Sequence, residues 1–245
     1  EVDREQLDED DLPPELTPSE KLTMALQMAQ AIADLHGYKD GVIIHNDIQV
    51  GQFLLDEDNR VKLSDFNRAE PRLWDEEKGE YCKYCLGAAM GNVRSPEEYA
   101  QEDIDEKIDV YSFGNILYAL LTGLDAYAVE EYKGLEIRDL SVEGVLPHVD
   151  LSIRGRSFAD AALASVMDRC FEYNPSFRTD IFTVVSLLKD AVVLNKRFES
   201  VPLHYAPKYE VTKLNKTEEE GYSNDGDDEA YYGHSEEEDY SYAGD

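Results

Sequence analysis

The sequence predicts a mainly α-helical domain of the α+β class that contains one small β-hairpin and continues into an acidic C-terminal tail. Apolar residues recur at helical spacing in several segments, the first of them within residues 17–37. Two strand-like runs, at 53–55 and 61–63, flank the polar turn "DEDN" at 56–59, which is typical of an antiparallel hairpin. Acidic residues dominate the last segment, 217–245, which predicts a tail without a packed core.

The charge balance excludes one class of partner. The chain has 245 residues with a formal net charge of -31, from 54 acidic and 23 basic side chains. A phosphate-backbone partner needs clustered Lys and Arg, so we expect no nucleic-acid partner, although a nucleotide bound with a metal ion remains compatible. No apolar run approaches eighteen residues, which predicts no membrane span, and three cysteines are too few for a disulfide framework. The cellular compartment stays open.

Composition divides the chain into three predicted parts. Residues 1–16 hold eight acids, one base and a Pro pair, and they predict an acidic linker. Residues 17–196 form the predicted folded domain. Residues 197–245 predict a largely disordered, Tyr-rich tail, which holds Tyr222, Tyr231, Tyr232, Tyr240 and Tyr242 among its acids. Such a tail is typical of a solubilising segment; acceptors for tyrosine modification and a docking segment for a basic partner are the alternatives.

The first helix has clear start and stop signals. Thr17 is a predicted N-cap, Pro18 suits the first turn, and Glu20 completes a capping box. Gly37 is the predicted stop. The apolar face that follows Thr17 is predicted to face the core.

The elements that follow alternate between short strands, loops and helices. The hairpin predicts that Gln52 lies near Asp65, because antiparallel pairing brings the strand ends together. Residues 68–94 predict a long loop, and loops of that length are often functional. Residues 107–123 are apolar nearly all round, which predicts a buried helix. An irregular stretch at 124–156 and two helices at about 157–173 and 180–193 complete the domain.

Five short motifs stand in this order of elements. They are His45-Asn46-Asp47 with Gln52 five residues after the Asp, Asp65-Phe66-Asn67, Ser95-Pro96-Glu97, Asp109 in the buried helix, and Arg178 before the last helix. Together they resemble the C-terminal lobe of a protein kinase over roughly residues 17–196. The order and the compatible spacing of all five motifs carry the resemblance, because any one triplet alone would be weak evidence.

The resemblance implies a phosphotransferase that uses ATP and Mg²⁺ on a protein substrate. Asp47 is implied as the catalytic base for the acceptor hydroxyl, and Gln49 as its catalytic neighbour. Asp65 and Gln52 are implied as the metal and nucleotide ligands, since Mg²⁺ prefers hard oxygen donors. A Ser/Thr acceptor is favoured over Tyr.

The same resemblance implies structural roles for four further residues. Glu97 and Arg178 are expected to form a buried ion pair under the long loop. Asp109 is expected to hold the backbone of the implied catalytic loop, residues 45–52, by hydrogen bonds. His45 is expected to be a core or backbone-bonding histidine rather than a base.

Four substitutions depart from the family pattern. Asn46 replaces an Arg that often pairs with a phosphorylated loop residue, which predicts the loss of that switch. Gln49 replaces a Lys and supplies no positive charge, so we expect slower transfer or compensation from elsewhere. Gln52 replaces a metal-binding Asn and reaches about 1.5 Å farther. Asn67 replaces a Gly whose left-handed backbone Asn tolerates.

The sequence leaves activity open between two classes. No Gly-x-Gly-x-x-Gly motif and no valine-alanine-isoleucine-lysine stretch occurs in the sequence, so the implied nucleotide cleft is half complete. An active kinase is the leading prediction, and a pseudokinase acting as a binding or scaffold module is the alternative.

Four other side chains carry weaker signals. Cys82 and Cys85 have CxxC spacing, but a second pair is absent, so ordinary thiols are favoured over a zinc or redox site. Trp74 is expected to anchor packing. Arg94 is expected to be solvated, with a substrate contact as the alternative.

Overall fold

The computed structural model describes residues 16–39, 41–84, 91, 93–127 and 134–198. The helices are α1 (Pro18–His36), α2 (Pro96–Tyr99), α3 (Lys107–Thr122), α4 (Gly134–Val142), α5 (Leu151–Arg154), α6 (Phe158–Cys170) and α7 (Ile181–Asn195). The strands are β1 (Ile43–Ile44), β2 (Phe53–Leu55), β3 (Val61–Leu63), β4 (Glu70–Pro71), β5 (Trp74–Asp75) and β6 (Glu80–Tyr81). The mainly α-helical class is confirmed. Almost all of the linker, almost all of the tail with its five tyrosines, and Cys85 lie outside the described residues.

Helix α1 begins and ends at the predicted residues. The Thr17 hydroxyl accepts a hydrogen bond from the Glu20 amide at 3.3 Å, and the Glu20 carboxylate accepts one from the Thr17 amide at 2.8 Å. This reciprocal pair is the predicted capping box, and it satisfies two amides that the helix cannot pair itself. The helix ends at Gly37, whose amide donates to the Ala33 carbonyl.

The core lies between α1, α3, α6 and α7. Helix α3 is buried on nearly every side, as its sequence predicts, and it packs against α6. Gly114 allows the close approach, because a Cβ there would lie 2.8 Å from the Phe171 ring. None of the described helices combines the length and the apolar character that crossing a membrane requires.

The predicted hairpin is confirmed and is tied to α1. Strand β2 pairs antiparallel with β3, with Phe53 opposite Leu63 and Leu55 opposite Val61. The Val61 amide donates to the Gln27 side chain of α1 at 2.9 Å. This bond fixes the hairpin against the helix core, so the residues at both ends of the hairpin have defined positions.

The prediction of an irregular stretch at 124–156 is wrong in part. Helix α4 spans Gly134–Val142 and α5 spans Leu151–Arg154 within it. The α4 sequence has a weak apolar pattern, and tertiary contacts hold it: Ile137 is buried, and the Arg138 guanidinium donates to the Tyr99 carbonyl at 3.1 Å. The apolar pattern of a segment alone therefore does not predict a helix whose stability comes from packing against other elements.

The long loop carries more structure than predicted. Strands β5 and β6 form a two-residue ladder within it, and β4 pairs with β1. The Arg72 guanidinium holds the loop by donating to the carbonyls of Tyr81 and Cys82 and by pairing with Glu106. Trp74 is 54% exposed and meets the Tyr81 ring edge-on, so the expectation that it anchors packing is wrong.

Candidate active site

Both oxygens of the Asp47 carboxylate are engaged by neighbouring side chains. The Arg94 guanidinium donates to Oδ1 at 2.6 Å. The side-chain amides of Gln52 and Gln49 donate to Oδ2 at 3.1 Å and 3.4 Å. The carboxylate therefore has one strong charge-assisted bond, one ordinary bond and one weak bond.

The hairpin places Gln52 beside the other predicted ligand, Asp65. The Ser64 amide donates to the Gln52 carbonyl at 2.8 Å, and Ser64 directly precedes Asp65. Because a carboxylate only accepts hydrogen bonds, the Gln52 amide nitrogen must face Asp47, and its oxygen faces the other way. That oxygen is a hard donor of the kind that Mg²⁺ prefers.

Asp65 has an unusual backbone. Its φ and ψ are both 64°, in the left-handed region that is uncommon for residues other than glycine. The residue is exposed, and no hydrogen bond or ion pair forms to its carboxylate among the described residues. A strained residue with an unengaged carboxylate is a reason to infer function there. An exposed carboxylate and an amide oxygen are the donor types that Mg²⁺ takes from a protein, with water and phosphates completing its shell.

The backbone of the catalytic loop is held by Asp109 from α3. The carboxylate accepts hydrogen bonds from the His45 amide at 2.7 Å and from the Asn46 amide at 3.0 Å. It also bonds His36 Nε2 at 2.9 Å. All of these groups are buried, so the residue before Asp47 is fixed from inside the core. No sequence motif singles out His36, which is the last residue of α1.

His45 lies inside the core rather than in the site. It is fully buried, its Nε2 lies 3.0 Å from the Ser64 carbonyl, and its ring meets Phe66 at a centroid distance of 5.3 Å. Its Nδ1 has no partner among the described residues. This histidine thus links the catalytic loop to the segment around Asp65.

Asn46 joins the catalytic loop to the long loop by neutral bonds. Its side chain donates to the Arg68 carbonyl at 2.8 Å and accepts from the Tyr84 hydroxyl at 2.8 Å. Asn46 itself takes the left-handed conformation, with φ at 63°, whereas Asn67 lies in the 3-10 helix Phe66–Arg68. The left-handed backbone expected at Asn67 is therefore not found there, and Asn46 and Asp65 adopt this conformation instead.

Glu97 and Arg178 lie together in the core. Arg178 donates to the two Glu97 oxygens at 2.5 Å and 3.0 Å. The remaining guanidinium bonds go to the carbonyls of Lys107, Glu172 and Tyr173. The pair is fully desolvated and fully hydrogen-bonded, which fixes α2 against the segment before α7.

Arg94 is buried, so the expectation of a solvated arginine is wrong. Besides Asp47, its guanidinium donates to the Asn46 carbonyl at 2.5 Å and lies 3.8 Å from Glu98. A cavity of about 590 Å³ opens next to this pair. Its polar lining includes Asp47, Gln49, Arg68, Arg94, Asn115 and Asp125, and its apolar wall includes Ile48 and Ile116. Its volume lies within the range of small-ligand sites in proteins.

Glu98 makes the stability of the domain depend on pH. Burial raises the pKa of this carboxyl to about 7, although the Ser95 amide and hydroxyl both donate to it at 2.9 Å. Between its ordinary value of 4.5 and about 7, the folded state holds more protons than the unfolded chain. This group therefore lowers the free energy of unfolding by as much as about 3 kcal/mol as the pH rises through that window.

Glu98→Gln is expected to remove that contribution. The measurement is the free energy of unfolding in urea at pH 5 and at pH 7.5, for the wild type and the variant. We expect the wild type to lose more stability than Glu98→Gln over this interval. Glu102→Gln, at an exposed position, is the matched control and is expected to follow the wild type. Parallel curves for Glu98→Gln and the wild type would contradict the assignment.

The similarity to known proteins covers the folded part of the chain. The family model for the protein kinase domain matches residues 9–189, which is more than half of the chain. The chain belongs to the protein kinase domain family. Residues 17–189 of the predicted lobe fall inside the matched part, and the five motifs that predicted the family all lie there.

Curated plant kinases are similar to this kinase domain. A LysM domain receptor-like kinase 10 from Oryza sativa subsp. japonica is 30% identical over 75% of the chain and 32% of the relative. A probable LRR receptor-like serine/threonine-protein kinase from Arabidopsis thaliana is 29% identical over 74% of the chain and 20% of the relative. A putative wall-associated receptor kinase-like 16 from Arabidopsis thaliana is 36% identical over 47% of the chain and 26% of the relative. The chain thus spans between about a fifth and a third of these relatives.

Proposed function

We propose that this kinase domain catalyses transfer of the ATP γ-phosphoryl group to a hydroxyl of a protein substrate. The observation that carries the proposal is the pair of carboxylates that precede and follow one hairpin in the chain. Asp47 is oriented by three side-chain donors, and Asp65 is exposed, unengaged and strained. Gln52 lies between them in the sequence, and its side-chain nitrogen donates to Asp47, which leaves its oxygen for another partner.

In the proposed reaction the acceptor oxygen bonds to the γ-phosphorus as the bond to the β–γ bridging oxygen breaks and ADP leaves. Asp47 orients the hydroxyl and takes its proton. Asp65 and the Gln52 oxygen would hold the Mg²⁺ that accompanies ATP, and the ion would neutralise phosphate charge. A Ser/Thr acceptor is supported by the similarity to a relative described as a probable serine/threonine-protein kinase.

Asp47→Asn and Asp65→Asn test this function in the full gene product. With Mg-ATP and a protein substrate, each is expected to reduce transfer by at least about 100-fold, because each removes a group used in the transition state. Asp168→Asn is the matched control, because Asp168 is half exposed on α6 and pairs with Arg154. Thermal unfolding of all variants separates loss of chemistry from loss of fold. Equal transfer by the wild type and both active-site variants would overturn the proposal.

A pseudokinase is the second candidate. Gln49 and Gln52 favour it, because an amide replaces a charged group at the first position and a shorter amide at the second. A scaffold that does not bind nucleotide would show no rise in melting temperature with Mg-ATP, whereas a ligand that binds only the folded state raises it. A rise that Asp65→Asn abolishes, without transfer, would favour a nucleotide-binding pseudokinase.

A further inference from the structure

Arg94 brings a positive charge to Asp47 from outside the catalytic loop. One terminal nitrogen donates to Asp47 Oδ1 at 2.6 Å, and the other donates to the Asn46 carbonyl at 2.5 Å. The side chain is 7% exposed, so its position is fixed by packing. Arg94 lies two residues before α2 and 47 residues from Asp47 in the chain. The contact therefore depends on the fold and not on the local motif.

We propose that Arg94 is a positioning residue that supplies the positive charge that Gln49 cannot supply. This inference rests on the proposed function. Gln49 contacts Asp47 only through a neutral amide at 3.4 Å. Arg94 reaches the other oxygen of the same carboxylate and lines the same cavity. Its charge therefore lies beside the proposed base and borders this cavity.

The geometry separates this role from that of a simple clamp. A clamp between the catalytic loop and the segment before α2 needs only the bond to the Asn46 carbonyl. The second bond fixes one oxygen of Asp47 and leaves the other to the two glutamine amides. Removing Arg94 should therefore change the orientation of Asp47, and with it the environment of those amides.

The test uses Arg94→Met, Arg94→Lys, and the double variant Arg94→Met with Gln49→Lys. Arg154→Met is the control, because Arg154 makes a two-bond pair with Asp168 at a more exposed site. In the full gene product, Arg94→Met is expected to lower kcat by about 10- to 100-fold with KM for the protein substrate changed less than about threefold. The kcat of Arg94→Lys should lie between those of the wild type and Arg94→Met. Adding Gln49→Lys to Arg94→Met should raise kcat about tenfold, because the lysine restores a charge nearby.

A second readout does not depend on transfer. The side-chain amide signals of Gln49 and Gln52 in ¹⁵N-correlated NMR spectra report the position of the Asp47 carboxylate. We expect these signals to shift in Arg94→Met, to shift less in Arg94→Lys, and to stay unchanged in Arg154→Met. If the wild type transfers no phosphate while the amide signals respond in this order, the proposed function fails and the positioning contact stands.

The opposite results would overturn the inference. Amide signals identical to wild type in a folded Arg94→Met protein would show that Arg94 does not position Asp47. If only Arg94→Lys folds, unchanged signals in that variant decide the question in the same way. A kcat loss that tracks the loss of melting temperature and that Gln49→Lys does not relieve would assign Arg94 a purely structural role.

Discussion

Replacing Arg178 with methionine is expected to lower the free energy of unfolding by about 4 kcal/mol, because it leaves the Glu97 carboxylate buried without its partner. Arg178 is fully buried, and its guanidinium also donates to three backbone carbonyls. The guanidinium carbon Cζ of Arg178 lies 4.9 Å from the Tyr111 ring centroid, so the variant also loses a cation–π contact. Each of these groups would remain in the core after the substitution.

The measurement is urea unfolding of the wild type, Arg178→Met and Arg154→Met. Arg154 also makes two bonds to a carboxylate, Asp168, but both side chains are partly exposed. Arg154→Met is therefore expected to change stability by less than about 1 kcal/mol. A double-mutant cycle with Glu97→Gln isolates the coupling of the buried pair. Similar losses for the two arginine variants would contradict the view that burial makes the difference.

Local signals in the sequence are sufficient for the elements that frame the site. The capping box at Thr17 and Glu20 and the hairpin across "DEDN" depend on residues within a few positions of each other, and both are present as predicted. The class of protein follows from motifs that keep their spacing, and the family match bears it out.

The rest of the site depends on contacts that the sequence does not display. Arg94 looks like an ordinary loop arginine, and only the fold brings it to Asp47. His36 ends a helix and meets Asp109, which lies 73 residues later. Glu98 belongs to an acidic run that resembles a solvated surface, yet it is buried. In each case, tertiary burial decides the role of a polar side chain, and local composition points the other way.

These contacts also change the significance of the two glutamines. On the sequence alone, Gln49 and Gln52 are two helper positions that have lost their usual residues. In the structure, both amides donate to the Asp47 oxygen that Arg94 leaves unoccupied. The neutral residues and the distant arginine therefore act on one carboxylate as a set. The effect of replacing two of these three residues together is therefore expected to differ strongly from the sum of the two single effects.

Asp109→Ala is expected to lower the free energy of unfolding by about 4 kcal/mol and to reduce any transfer activity further than the loss of fold explains. Three buried donors, His36 Nε2 and the amides of His45 and Asn46, lose their common acceptor. Each unsatisfied buried group costs about 1–3 kcal/mol. Because Asn46 directly precedes Asp47, the loss of its amide hydrogen bond also makes the position of the proposed base less defined.

Asp109→Asn provides a graded comparison for this result. The amide oxygen can still accept on one side, while its NH₂ group faces a donor on the other, so about half of the loss is expected. Amide hydrogen exchange at His45 and Asn46 measures the loosening directly, and it should speed up in the order wild type, Asn, Ala. Unchanged exchange at these two amides in a destabilised Ala variant would show that α3 alone, and not the catalytic loop, depends on this carboxylate. The predicted order would show that Asp109, a buried residue of α3, helps to set the orientation of Asp47.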